Sequence, residues 1–72
     1  MKEYTVLYEC GKRNWSAYVP DLPGCIATAK TREKVEKQIR EAVEFHVEGM
    51  IKRGEPIPAP TIEAGVVAIS TK

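Results

Sequence analysis

Pro20-Asp21-Leu22-Pro23-Gly24-Cys25 decides how this chain folds. The two prolines fix their own φ and push Val19 and Leu22 toward extended backbone, so no helix passes through this stretch. Gly24 accepts the positive φ that a sharp reversal demands. Strand-like residues lie on both sides, and the stretch reads as a corner that sends one strand back across a sheet. Upstream, Tyr4 to Cys10 alternates Tyr4, Val6 and Tyr8 against Thr5, Leu7 and Glu9, the period of a strand. Gly11-Lys12-Arg13-Asn14 is a polar turn. Trp15 to Val19 then places Trp15, Ala17 and Val19 on one face and Ser16 and Tyr18 on the other, giving an antiparallel hairpin. Cys25 to Ala29 is a third strand, with Cys25, Ala27 and Ala29 opposite Ile26 and Thr28. Its small residues suit close cover by a helix.

That helix follows at once. Thr31 is its N-cap, with Glu33 in the first turn facing the positive end of the helix dipole. Val35, Ile39, Ala42, Val43, His46, Val47 and Met50 form one stripe at the helical period. Lys37, Arg40, Glu41, Glu44 and Glu48 cover the other side, with Glu33–Lys37, Glu36–Arg40 and Glu48–Lys52 at favourable i,i+4 spacing. Gly54 ends the helix near Arg53, and Pro56 prevents its continuation. Pro56, Pro58 and Pro60 make an extended connector that Ile57 lays against the body. Gly65-Val66-Val67-Ala68-Ile69 reads as a fourth strand, apolar on both faces. The expected fold is therefore α+β, in the order β-β-β-α-β: an antiparallel-rich sheet with one long helix packed on one face.

Seventy-two residues make a single domain, 1–72. A chain of this size buries only about 60% of the surface it exposes when unfolded. One helix leaves the second sheet face open, and open apolar faces mark interfaces. Eleven Lys and Arg against ten Asp and Glu argue against a strongly cationic nucleic-acid binder. No run approaches the ~20 apolar residues of a membrane span. No apolar leader segment precedes Cys10 and Cys25, so both read as reduced thiols of a cytoplasmic protein. One histidine and no CxxC give no metal site, and no cofactor is expected.

The motifs carry a resemblance. Trp15-x-Ala17-x-Val19-Pro20-Asp21-Leu22-Pro23-Gly24-Cys25, then Glu41-Ala42-Val43-Glu44-x-His46-Val47-Glu48-Gly49 and Gly54-Glu55-Pro56-Ile57-Pro58-x-Pro60 look like the HicB-like antitoxin family, over residues 2 to about 62. The resemblance implies a partial ribonuclease H-like fold and homo-oligomers, dimers or tetramers. It also implies a small HicA-type mRNA-cleaving toxin as the protein that is bound and covered. Family members often carry a C-terminal DNA-binding domain. None is expected here, and autonomous operator binding is not expected either.

Each candidate residue has a plainer reading beside it. A nuclease of ribonuclease H type needs several carboxylates around two metal ions, and no spacing here gathers Glu3, Glu9, Asp21 and the helix glutamates. Solvated surface carboxylates are the favoured reading. His46, amid the apolar stripe, is favoured as a half-buried neutral ring over a catalytic base. The aromatic residues could stack RNA in a nucleic-acid-binding oligomer, but the near-neutral charge favours packing and protein contact. The expected function is thus a non-enzymatic, antitoxin-like binding protein. Trp15, Tyr18, Asp21, Leu22 and Pro23 are its expected partner-binding residues, and Phe45, Val66 and Ile69 its expected oligomer interface. Glu41, Glu44 and Glu48 would complement a basic toxin.

Overall fold

The computed structural model describes residues 2–71. Three strands and one helix follow in order: β1 (Leu7–Cys10), β2 (Trp15–Tyr18), β3 (Ile26–Ala29) and α1 (Arg32–Lys52). The strands form one antiparallel sheet in the order β1-β2-β3. Its register pairs Tyr8 with Ala17 and Ala17 with Ala27 on one face, and Leu7 with Tyr18 and Tyr18 with Ile26 on the other. The α+β reading therefore holds, and so does the alternation read in each strand.

β1 is shorter than the Tyr4–Cys10 alternation suggests. Leu7 pairs with Tyr18, the last residue of β2, and beyond it the chain turns into the corner at Val19 and Pro20. A proline has no N–H to offer a ladder, so residues 4–6 have no β2 backbone to pair with. The corner itself is closed by its own backbone: the Val19 N–H donates to Cys25 O at 3.1 Å, Leu22 N–H to Val19 O at 3.1 Å and Cys25 N–H to Leu22 O at 3.0 Å. Gly24 sits at φ 86°. A Cβ there would meet nothing within 4 Å, so glycine is required by the backbone angle and not by space.

The core is Ala17, Val19, Leu22, Cys25, Val35 and Ile39. Leu22 leaves the tip of the corner and is fully buried between sheet and helix. Burial also raises the pKa of the Cys25 thiol, which disfavours the reactive thiolate. Cys10 is exposed, and both cysteines are free thiols.

α1 begins where the sequence indicates. Thr31 is extended (φ −127°, ψ 159°), and its Oγ1 accepts from the Lys34 N–H at 3.1 Å. At the other end Gly54 takes φ 72°. The Gly54 N–H donates to Ile51 O at 3.1 Å and the Glu55 N–H to Met50 O at 2.9 Å, the paired bonds of a glycine-terminated helix. None of the three anticipated i,i+4 pairs forms an ion pair among the described residues. Arg32–Glu36 closes instead at 3.2 Å, with Arg53–Glu55 at 2.7 Å.

The fourth strand is corrected. Among the described residues no strand follows α1. Residues 63–71 are exposed throughout, with Val66 at 98%, Val67 at 84% and Ile69 at 76%. The residues have strand character, but among the described residues none of the three strands pairs with them. The molecule is accordingly long, with extents of 53 × 26 × 18 Å and a radius of gyration of 14.4 Å. A compact chain of this length would have about 11 Å.

Candidate protein-binding surfaces

Element lengths create the first surface. Four residues of strand span about 13 Å, whereas the twenty-one residues of α1 span about 31 Å. The helix therefore overhangs the sheet. Only Val35 and Ile39, in its first half, are buried, while Ala42, Val43, His46, Val47 and Met50 are half-buried. The helix also lies over β3 and β2 rather than over β1. A trough consequently runs beside β1, between Tyr4, Val6 and Tyr8 on the strand side and Ile39 and Val43 on the helix, with a volume of about 650 Å³. It continues past Val47 and Ile51 toward Ile57, where a further 490 Å³ is open. Glu44 and Glu48 stand on its rim. The Arg32 guanidinium lies 3.5 Å from the centre of the Tyr8 ring, a cation–π contact on a residue that lines the trough.

The second surface is the sheet face away from the helix. Its register sets Leu7, Tyr18 and Ile26 in one row, with Glu9, Ser16 and Thr28 in a polar row behind it. Tyr18 is 45% and Ile26 64% exposed. Apolar side chains stand directly opposite one another here, and among the described residues the helix packs on the other face.

A strap joins these surfaces at one end of the molecule. The proline-rich connector runs past the amino-terminal residues: Lys2 Nζ donates to Ile57 O at 3.2 Å, the Tyr4 hydroxyl to Pro58 O, and Thr5 Oγ1 to Ile62 O at 2.6 Å. Its far end is held by Asp21. The carboxylate accepts from Thr61 Oγ1 at 2.6 Å, from the Thr61 N–H at 3.0 Å and from the Ile62 N–H at 3.2 Å. The Thr61 hydroxyl, then the Thr61 N–H, hold the Asp21 carboxyl below the usual carboxylate range against the opposing effect of desolvation, and the Ile62 N–H adds the least.

The expected partner-binding residues do not make one surface. Tyr18 and Pro23 are exposed, Tyr18 on the open face and Pro23 at the corner. Trp15 is half-buried on the helix side, packed against the core. The Asp21 carboxylate is occupied by the strap, and Leu22 is a core side chain with no surface to offer. Of the expected oligomer residues, Phe45 (81%), Val66 and Ile69 are all exposed. His46 is half-buried on α1. Among the described residues no three of His, Cys, Asp and Glu converge as a metal site would require, and no helix is long and apolar enough to cross a membrane. Sequence reasoning missed the trough and the Asp21 latch. A comparison of helix and strand lengths could have signalled the trough. Nothing marks a bond between residues forty positions apart.

Comparison with known proteins agrees with this architecture. The chain is 33% identical over 55 residues to an uncharacterized 14.9 kDa protein from the rep-hol intergenic region of Haemophilus phage HP1, covering 76% of this chain and 41% of that one. It is 38% identical over 45 residues to a UPF0150 protein of Thermoplasma acidophilum, covering 62% of this chain and 65% of the relative. A UPF0150 protein of Synechocystis is 36% identical over 56 residues, with 76% and 71% covered. The chain thus spans less than two thirds of the first two relatives. Among solved structures, a chain of the HicA3 and HicB3 toxin-antitoxin complex superposes with a TM-score of 0.68 at 27% identity, covering 83% of this chain and 70% of that chain. The family described as HicB-like antitoxin of bacterial toxin-antitoxin system matches residues 4–69. That span takes in the corner, the helix and the strap together, and the chain belongs to the HicB-like antitoxin family.

Proposed function

We propose that this chain neutralises a small HicA-type toxin by binding it, surface against surface, without catalysis of its own. The reading rests on the family match over residues 4–69 together with the likeness to a chain of the HicA3 and HicB3 complex. The open sheet face is the docking surface that best fits it. Leu7, Tyr18 and Ile26 offer an apolar centre, and Glu9, Ser16 and Thr28 a polar margin. Protein interfaces share that layout of apolar core and polar rim. Pro23 stands exposed at the corner. Exposed Glu41, Glu44 and Glu48 would speed the approach of a basic toxin more than they would tighten the complex. Self-association as a dimer or tetramer belongs to the same reading, with Phe45, Val66 and Ile69 as its expected contacts.

The test is co-expression with a small HicA-type toxin encoded beside this chain. The two proteins should co-purify, and toxin-arrested growth should resume. Tyr18→Glu combined with Ile26→Glu should leave the fold intact and abolish both effects. Absence of any complex with the wild-type chain, and no growth rescue, would refute the reading.

A further inference from the structure

We propose that residues 64–70 form a β-strand supplied to a second copy of this chain, where it adds to the outer edge of β1 and closes the trough beside it. The inference rests on the self-association described above and names the element that produces it.

Four observations carry it. First, Val66, Val67 and Ile69 are β-branched and exposed, and among the described residues the backbone bonds outside helix and strands include none from residues 63–71. A segment of that composition is stable when another edge pairs with it. Second, the segment has a fixed root. Thr61 and Ile62 are held to Asp21, and Ile62 O accepts from Thr5. It is an arm leaving a defined point.

Third, the same chain carries a matching acceptor. β1 pairs only with β2, so its outer edge is open. The helix leaves a trough at that edge, with Tyr4, Val6, Tyr8, Ile39 and Val43 as its apolar lining and Lys2, Glu3, Glu36, Arg40 and Glu44 as its charged lining. β3, the other edge strand, lies under the helix. A strand along β1 would place alternate side chains into the trough and onto the open face, which suits a segment apolar on both sides. Fourth, with a net charge of +1 two copies approach without strong mutual repulsion. Reciprocal exchange about a twofold axis satisfies both arms and both edges at once and leaves no further copy to recruit.

The test uses the whole chain. Sedimentation equilibrium should give twice the 8.0 kDa chain mass for the wild type, and Val67→Asp should weaken association at least tenfold. Cys10, exposed at the end of β1, supplies a position-specific readout. Ala64→Cys or Ser70→Cys, oxidised gently, should give a covalent dimer on a non-reducing gel, and this should vanish when Cys10→Ser is added. A wild-type dimer that Val67→Asp leaves intact overturns the arm while self-association stands. A disulfide-linked monomer shows the arm returning to its own sheet and also overturns it. Loss of the dimer with Val67→Asp but no Cys10 cross-link overturns the placement on β1. A solitary wild-type chain at every concentration overturns arm and self-association together, and the toxin reading is judged separately by co-purification.

Discussion

The corner strand and the carboxyl-terminal arm have nearly the same chemistry and opposite fates. Ala17, Val19, Leu22 and Cys25 are almost wholly buried, whereas Val66, Val67 and Ile69 are almost wholly exposed. Both stretches are short, apolar and bordered by proline or glycine. They differ in what lies within reach. The corner keeps its residues beside β1 and under α1, so each apolar group meets another. The arm leaves the Asp21 latch at the end of the strap, and among the described residues no strand pairs with it. Apolar pattern sets the capacity to form a strand, and a neighbouring edge decides whether one forms.

The largest effect should come from the buried side of this comparison. Leu22→Ala removes a fully enclosed side chain and should cost about 2–5 kcal/mol. For a chain of this size that is a large share of a total stability on the order of 4–10 kcal/mol. Urea unfolding followed through Trp15, the single tryptophan, should show a midpoint moved far toward lower denaturant. A shift under 1 kcal/mol would mean that the corner tip is not the centre of the core.

The helix start comes next. Thr31→Ala removes the acceptor for the Lys34 N–H and should cost about 1 kcal/mol. The urea midpoint should fall at an unchanged slope, since the surface exposed on unfolding is the same. A changed slope would show that the helix end frays in the folded state.

Asp21 tests the boundary between body and arm. Hydrogen bonds from Thr61 and Ile62 lower its pKa below 3.8 in the folded chain. A group depressed in this way binds fewer protons folded than unfolded, so its contribution is complete above the ordinary value. It is lost as pH falls through the lower, folded one. The amide resonances of Thr61 and Ile62 should therefore titrate with a midpoint below that of an ordinary aspartate. In Asp21→Ala they should be displaced already at pH 7, with the resonances of β2 and β3 in place. Displacement throughout the sheet would show that the latch supports the body as well as the strap.

Much of this was legible in the sequence, and the limits are physical. Trp15, Ala17 and Val19 against Ser16 and Tyr18 gives the two faces of β2 because alternation is a local property of strands. Thr31, Gly54 and Pro56 mark the helix because caps act over one turn. Asp21 and Leu22 are expected at a partner surface because they belong to the corner motif that carries the family resemblance. Leu22 is instead turned into the core by backbone bonds within the corner, and Asp21 meets Thr61 across forty residues. Periodicity carries no information about such meetings. The strand expected at residues 65–69 failed for the same reason: pairing partners are set by where the strap ends, and that depends on the latch.

The smallest effect should appear in the arm, and its smallness is the point. At high dilution, where copies separate, Val67→Asp should change unfolding stability by no more than about 0.5 kcal/mol, as for other exposed positions. At higher concentration the wild type should gain stability by mass action, so its urea midpoint should climb with concentration while that of Val67→Asp stays level. Equal midpoints at all concentrations would detach the arm from association. A loss above ~2 kcal/mol at high dilution would break the comparison itself, because an apolar side chain can cost that much only if the separated chain already packs around it.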